Sequence, residues 1–595
     1  MSMNSMRMII KYWFKSKREF LIALGLILLS TLFTLMIPIF IGRLVGGLSP
    51  DGGTRVNELD LWINFIFIVL FATLTFIIGR AGNMKGAVVA SAALYHLRAD
   101  IHNAIYRQSF SYFDKTETGQ LVARATSDVE ETQMIFGFGL IMGLNGLLLL
   151  TGIMILSFFL SSQLALIFIV IVPISLSVSV ILAKKLKPIY AETRESFGEL
   201  TNTIRENIIG AQVVRMFSNQ EKERNKFTKN NTRFYNASVR SVKINSLTMP
   251  FNFLLIGLMI ILVLFVGGNL ILEGYITLET LVTFQAYVSL TMFPLVMLGQ
   301  MMLMYVQADA ALTRVREVLE STPDVKDFPN AIPIEKLEGN VKFENVSFGY
   351  TSENRILKDI SFEVPAGKKL AILGTTGSGK STIINLLPRF YEINNGIIKI
   401  DDKDIRNYLL KDLRKNISIV SQETFLFNKS IKENISFGKM SATMEDIIEA
   451  AKVANLHGFV ETLPEGYDTK VGERGTRLSG GQKQRLSIAR ALIIKPKILI
   501  FDDSTSSVDV ETEFKIQTAL EEIMKDTTTF IITQRISTIR NADQILVLDQ
   551  GRVVGLGSHD QLIDNNSLYR QIYETLFQKQ KTKSSTNQEQ IEGDY

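Results

Sequence analysis

Six stretches of the chain are apolar over roughly the length a helix needs to cross the hydrocarbon of a bilayer. They span residues 20–41, 61–78, 138–160, 164–182, 251–270 and 281–304. A helix requires about 20 such residues to span, and none of the six has an Asp, Glu, Lys or Arg in its interior. The pattern predicts six membrane-spanning helices. The first run is longer than a signal-peptide core and lacks a small-residue cleavage site behind it, so it is expected to be a retained span. Beyond about residue 340 the apolar runs shorten to strand length and alternate with turns, which predicts a mixed α/β domain.

The connections between the runs differ in length and charge. The short ones, 46–60, 161–163 and 273–277, hold a single basic residue, Arg55. The long ones, 79–137 and 183–250, are rich in Lys and Arg, as is "KYWFKSKR" (11–18). Positive charge marks the cytoplasmic side, so both termini and both long connections are expected there. No proline occurs between Arg80 and Leu160. Each long connection is therefore expected to form an outgoing and a returning helical leg of roughly 30 residues, projecting on the order of 40 Å. The segment from Met6 to Phe20 reads as a basic amphipathic entry helix on the membrane face. The tail from 579 to 595 is polar and expected to be disordered.

Composition changes this picture in only two ways. Cysteine is absent, which removes disulfides, thiolate metal sites and cysteine nucleophiles. The net charge of +5 comes from basic residues crowded at the ends of apolar runs, which fits membrane flanks and not nucleic-acid binding. The last apolar run carries Met292, Met297, Met301, Met302 and Met304. Methionine suits variable apolar ligands, but the same residues also serve plain helix packing, and spacing leaves both readings open. Asn145, Gln285 and Gln300 are open in the same way, facing a cavity or bonding neighbouring helices.

The clearest chemistry lies in "LAILGTTGSGKST" (370–382). A buried apolar strand runs into Gly374, Thr375, Thr376, Gly377, Ser378, Gly379, Lys380, Ser381 and Thr382, and an apolar helical run follows. This is a phosphate-binding loop in its required setting. Glycines let backbone N–H groups turn onto phosphate, and the following helix N-terminus adds its positive dipole end. Lys380 is expected to reach the β- and γ-phosphates of a nucleotide, and Ser381 to ligate Mg²⁺. Further on, Leu478, Ser479, Gly480, Gly481 and Gln482 open "LSGGQKQR", a serine–glycine turn leading into a basic helix.

With six spans, a phosphate loop and this second motif in that order, the chain resembles ATP-binding cassette (ABC) transporters, in the branch that fuses six membrane helices to one C-terminal nucleotide-binding domain. The resemblance implies a membrane α-helical domain with long cytoplasmic extensions (1–312), a proline-containing linker (313–340) and an α/β P-loop cassette domain (341–578). It implies ATP and Mg²⁺ as ligands. Tyr350 in "VSFGY" matches the aromatic that stacks on adenine. Gln422 in "IVSQETFLF" matches the glutamine that joins Mg²⁺ and the γ-phosphate to the membrane arms, and Asp502 the magnesium carboxylate. Glu473 is similar to an acidic contact to those arms. Leu478 to Gln482 match the signature that closes on ATP held by the opposite subunit, and residues 506–509 look like the loop joining the two sites. The stretches 111–130 and 206–223 resemble the arm tips that transmit ATP-driven closure.

Two positions depart from the family pattern. Asp503 stands where a glutamate polarises the attacking water, and Gln534 where a histidine contacts the γ-phosphate. Aspartate is one methylene shorter, which withdraws the carboxylate by about 1.5 Å, and a displacement of about 1 Å can cost on the order of a hundredfold in rate. Glutamine can hydrogen-bond a phosphate but cannot take up the positive charge of an imidazole. None of the four histidines (His96, His102, His457, His559) lies near enough to replace it. An ATP site that binds but hydrolyses poorly, beside an intact signature, resembles one subunit of the heterodimeric bacterial exporters. The expected function is ATP-driven efflux of amphipathic small molecules across the plasma or inner membrane, with a second ABC subunit supplying the full Glu and His. A homodimeric lipid or peptide exporter is the alternative within transport. An ATP-gated channel or a non-transporting sensor is the alternative outside it, although a channel would line its pore with charge that these spans lack.

Overall fold

In a computed structural model of the chain, residues 3–48, 58–351, 354–502 and 526–578 are described. Contacts divide the chain into two units. The first takes the chain up to Arg107 together with Thr116–Ser321, and the second takes Gln108–Lys115 together with the chain from Thr322 onward.

The first unit is helical. A short amphipathic helix, α1 (Met3–Trp13), precedes α2 (Lys17–Leu48) and α3 (Glu58–Tyr106). The 49 residues of α3 are one helix about 70 Å long, so the apolar run and the outgoing arm are continuous. The segment α4 (Phe110–Lys115) belongs to the second unit. The return is broken into α5 (Thr118–Ala125), α6 (Ser127–Met134), a π-helical turn Ile135–Gly139, and α7 (Leu140–Leu160). The second arm pairs the far half of α8 (Ser162–Ile209) with α10 (Gln220–Asn245), joined by α9 (Ala211–Met216). Helix α11 (Thr248–Leu272) then leads to α12 (Leu278–Glu320).

Among the described residues, six helices are long and apolar enough to cross a membrane. None of the apolar window in α3 is buried within the chain, and Trp62, Phe65, Ile66 and Phe76 all point outward. Such a surface needs an apolar surround. Inside the bundle, polar groups pair across helices: Ser175 Oγ donates to Asn252 Oδ1 (2.8 Å) and Tyr287 OH to the Leu35 carbonyl (3.0 Å). Asn145 accepts from Thr31 Oγ1 (3.3 Å), which is the helix-bonding alternative. Met301 lies against Gly139 and Gly143, where it packs. The side chains of Gln300 and Met302 lie outside the described residues. Residues 313–320, expected to begin the linker, instead continue α12. Ala308, Leu312, Val315 and Val318 repeat at helical spacing and are buried with Met8, Ile9, Leu97 and Ile101, which carries the helix on to Glu320, three residues before Pro323.

The second unit is built on two sheets. Strands β1 (Val341–Phe348), β2 (Leu357–Val364), β4 (Asn395–Ile400) and β5 (Lys403–Asp404) form an antiparallel sheet in the order β2-β1-β4-β5. The other has the order β10-β9-β3-β8-β7-β6, from β3 (Lys369–Gly374), β6 (Ile417–Val420), β7 (Ile498–Asp502), β8 (Thr528–Ile532), β9 (Gln544–Asp549) and β10 (Arg552–Gly557). Its central strands are parallel and read as largely apolar runs with little alternation because both faces are covered. Helix α13 (Lys380–Leu386) follows β3. Helix α14 (Leu410–Asn416) precedes β6, and a helical layer with α15 (Ile431–Ser436), α16 (Met444–Val453), α17 (His457–Glu461) and α18 (Gly480–Leu492) lies between β6 and β7 in sequence. Much of it shares one apolar core with Val420, Leu499 and Phe501.

Candidate functional site

The sheet order brings distant parts of the sequence to one edge. Ile372 of β3 pairs with Ile532 of β8, and Asp502 at the end of β7 pairs with the same Ile532. Val420 ends β6 opposite Phe501. Gly374, Gln534, Asp502 and Gln422 therefore leave the carboxyl ends of four neighbouring parallel strands. Ligands of open α/β sheets bind at such ends.

The loop from 374 to 382 has the backbone its sequence implies. Gly374, Gly377 and Gly379 adopt φ of +153°, +81° and +102°. A Cβ at Gly374 would meet the Leu548 carbonyl oxygen at 2.2 Å, and one at Gly379 would meet Leu357 Cδ2 at 2.5 Å. Glycine is required at both by conformation and by space. Lys380 Nζ donates to the carbonyls of Gly374 (3.0 Å) and Thr375 (2.8 Å), which lays the ammonium across the loop. Thr375 Oγ1 donates to Asp549 Oδ1 (3.4 Å) at the end of β9, tying the loop to a second strand. Thr376 and Gly377 are exposed at its crown, and Ser381 is exposed at the start of α13. Ser378 Oγ is buried without a hydrogen-bond partner. A buried hydroxyl left unpaired is costly, and an oxyanion at the loop would offer it an acceptor. The residues present fit a nucleotide phosphate.

Tyr350 sits beside the loop, its OH 3.4 Å from Thr382 Oγ1. The residue is 40% exposed and its ring is held edge-on by Phe348 (centroids 5.0 Å) and Tyr391 (5.1 Å), a posture that leaves a face for a base. The start of β3 is pinned by Asp543, which accepts from the Lys369 N–H (2.9 Å) and Lys368 Nζ (3.0 Å). Burial works against this carboxylate's charge, but the Lys369 N–H and the Lys368 ammonium outweigh it and hold its pKa below the ordinary value.

Ser479 is the N-cap of α18. Its Oγ accepts from the Gln482 N–H (3.3 Å), and Gln482 Oε1 accepts from the Ser479 N–H (2.9 Å). This reciprocal capping box fixes the turn. Leu478 packs on the helical core, while Ser479 and Gly480 are exposed and Gly481 is half-buried, so the signature presents its helix end outward. Glu473 is exposed on a 3-10 turn just before it.

Gln422 and Gln534 are exposed and Asp502 is half-buried. Asp503 and the expected joining loop at 506–509 lie outside the described residues. For Mg²⁺, the Ser381 hydroxyl, the Gln422 amide oxygen and the Asp502 carboxylate are hard oxygen donors, the kind the ion prefers alongside phosphate oxygens. Among the described residues no group of three His, Cys, Asp or Glu gathers as a metal cage. Sequence reasoning did not find Asp549, Asp543 or Tyr391. Nothing near them in sequence marks them, since each acts on a residue far along the chain.

Comparison with known proteins agrees with this geometry. Residues 20–295 match the ABC transporter transmembrane region and residues 357–506 the ABC transporter family. A Bacillus subtilis (strain 168) protein named "Uncharacterized ABC transporter ATP-binding protein YknU" is 38% identical over 97% of this chain and 98% of its own length. The "ATP-dependent lipid A-core flippase" of Syntrophus aciditrophicus (strain SB) is 34% identical over 89% of this chain and 87% of its own. A solved structure of a bacterial Atm1-family ABC exporter with ATP bound superposes with a TM-score of 0.82 at 29% identity, covering 94% of this chain and 98% of that one. The chain is therefore a member of the ABC transporter family, a multi-pass membrane protein and ATP-hydrolysing transporter of the exporter type with its transmembrane region before its ABC domain.

Proposed function

We propose that this chain is one half of a heterodimeric exporter that drives amphipathic small molecules out of the cytoplasm or inner leaflet. It binds ATP and Mg²⁺ at an impaired site and lends an intact signature to its partner's site. The observation that carries the reading is the contrast between two halves of the machinery. The loop at 374–382 and the capped Ser479 turn are both formed, whereas Asp503 and Gln534 replace the family's water-polarising glutamate and phosphate-contacting histidine.

Each residue then has a task. Tyr350 stacks the base, Lys380 and the loop N–H groups hold the phosphates, and Ser381, Gln422 and Asp502 hold Mg²⁺, which screens phosphate charge when bound. Asp503 orients water from too far back, and Gln534 contacts the γ-phosphate without charge. Leu478 to Gln482 close on the partner's ATP. The uncharged spans and the methionines of α12 suit apolar cargo. The second arm ends in exposed Ile208, Ile209, Val213, Met216 and Phe217, an apolar tip that favours seating on a partner subunit. The charge of the connections supports cytoplasmic termini and a cytoplasmic nucleotide-binding domain in the plasma or inner membrane. The proposed domains are 1–312, 313–340 and 341–578, with α12 occupying the first residues of the proposed linker, 313–320.

The test is the ATPase rate of this chain purified alone in lipid, then with a second ABC subunit that carries the full Glu and His. Background turnover alone and at least a tenfold rise with the partner is the expected result. Brisk turnover alone makes Asp503 a working base and the homodimer the machine, and the lipid flippase among its relatives then makes lipid export the first activity to assay.

A further inference from the structure

The two-residue turn between β9 and β10 braces the phosphate loop at both ends. Asp549 and Arg552 face each other across the turn, and Gln550 and Gly551 take φ of +45° and +78°. Positive φ at both central positions is the backbone of a type I′ hairpin. Gly551 is buried, and its carbonyl accepts from the Lys358 N–H (2.8 Å). A Cβ at Gly551 would collide with the Ile356 carbonyl oxygen. The turn is therefore seated by glycine's missing side chain and by the backbone at the start of β2.

From that seat it reaches the loop on two sides. At the near end, Gly374 pairs with Leu548, and Asp549 Oδ1 accepts from Thr375 Oγ1 (3.4 Å). At the far end, Ile356 and Leu357, against which Gly551 rests, also wall Gly379. A Cβ added there would lie 2.5 Å from Leu357 Cδ2 and 3.5 Å from Ile356 Cγ2. The first and last glycines of the loop thus abut one turn and its neighbours.

The Thr375 contact gains importance when a nucleotide arrives. Lys380 Nζ donates to the carbonyls of Gly374 and Thr375 and holds that end of the loop. Phosphate oxygens compete for the same ammonium, because charge-assisted bonds are the stronger ones. As Lys380 turns to the phosphates, the two carbonyls give up a charged donor, while the Thr375 hydroxyl keeps Asp549. Thr375 is exposed and Asp549 half-buried at the end of a paired strand, so the carboxylate is the fixed partner. A loop held in its binding shape loses less freedom on binding.

We propose that Asp549 is a positioning residue of the ATP site: through Thr375 it keeps the start of the loop in place while Lys380 changes partners. The proposal rests on the reading of 374–382 as the nucleotide-binding loop.

The experiment is hydrogen exchange on the full chain in lipid, read in a peptide covering 374–382 across a titration of ATP with Mg²⁺. Asp549→Leu removes the acceptor and Thr375→Val the donor. Each is expected to raise half-saturating ATP at least fivefold, and the double variant should do no more than either alone. Because Lys380 holds the empty loop, exchange without nucleotide should change less than twofold. At saturating ATP it should stay at least threefold faster than in the unaltered chain. Asp549→Asn and Thr375→Ser keep the acceptor and the donor, and should remain within twofold on every readout. If Asp549→Leu does not fold, Thr375→Val, at an exposed position, carries the test. Half-saturating ATP within twofold in Thr375→Val, or losses that multiply in the double variant, would overturn the proposal. So would equal loosening with and without ATP, which is what a purely structural brace gives. Lys380→Ala tests the reading beneath. If it needs no more ATP than the unaltered chain to protect 374–382, the loop is not the nucleotide site, and that assignment fails in its own right.

Discussion

Arg389 offers the sharpest energetic test of how the nucleotide-binding half is assembled. Its side chain is 1% exposed. The guanidinium donates through Nε and Nη2 to Glu392 Oε1 and through Nη2 to the Lys326 carbonyl, and it lies 5.0 Å from the Phe328 ring centroid. It thus ties the linker to the turn after α13, beside Phe390 and Tyr391, which meet Phe110 and Asp114 of α4. Removing one partner of a buried ion pair costs about 3–5 kcal/mol. Glu392 is 31% exposed, so water recovers part of that loss and the low end applies, about 3 kcal/mol for Arg389→Ala. In a domain of this size each kcal/mol moves the unfolding midpoint about 2–4 °C, which gives a fall of about 6–12 °C. Because the chain has no cysteine, a single Ala489→Cys, at a fully buried position, reports unfolding of this half through thiol labelling during a thermal ramp. The pair Arg389→Met with Glu392→Leu should recover most of the loss, since Nη1 is buried without a partner and the native pair is incompletely satisfied. A shift below about 2 °C for Arg389→Ala, or no recovery in the double variant, would refute this account of the linker's anchorage.

In the assembled pair, Ser479→Ala is expected to reduce ATPase turnover to near background, and Lys380→Ala to reduce it much less; equal losses would contradict the asymmetric assignment. The cap lost in Ser479→Ala is worth only about 0.5–2 kcal/mol, so an unchanged unfolding midpoint to within a few degrees should accompany the loss of rate. Asp503→Glu combined with Gln534→His should raise ATPase at least tenfold in the chain alone, and an unchanged rate would place the defect elsewhere. Asp543 has a lowered folded pKa, so it stabilises above its unfolded pKa and that contribution is lost as pH falls through the folded one. Asp543→Asn should therefore lower the unfolding midpoint at neutral pH and matter progressively less below the ordinary carboxylate range; a constant difference across pH would show that the charge plays no part.

Much of this protein is written in short windows. Each span needs only about 20 uninterrupted apolar residues to declare itself; five of the six expected runs fall within the long apolar helices, and the sixth, 281–304, falls within α12. The phosphate loop is equally local, because the positive φ angles at Gly374, Gly377 and Gly379 and the reach of Lys380 back to Gly374 and Thr375 involve neighbours in sequence. The capping box at Ser479 and Gln482 spans three residues. Asp502, Gln534 and Gln422 were legible only through resemblance to a family, since no local pattern says that three strand ends will lie side by side.

What the sequence determined by itself was therefore the set of parts: six spans, helical arms, a phosphate loop and a signature turn, each specified by hydropathy or backbone conformation within one element. Tertiary structure decided how far those parts extend and which of them meet. Residues 313–320 are helical because Met8, Ile9, Leu97 and Ile101 bury one face of them, a reason absent from the segment itself. The site edge exists because β3, β8, β7 and β6 are hydrogen-bonded neighbours in an order different from their order in the chain. Thr375 reaches Asp549 across 174 residues of sequence, and only closing that distance in the fold gives Asp549 a role.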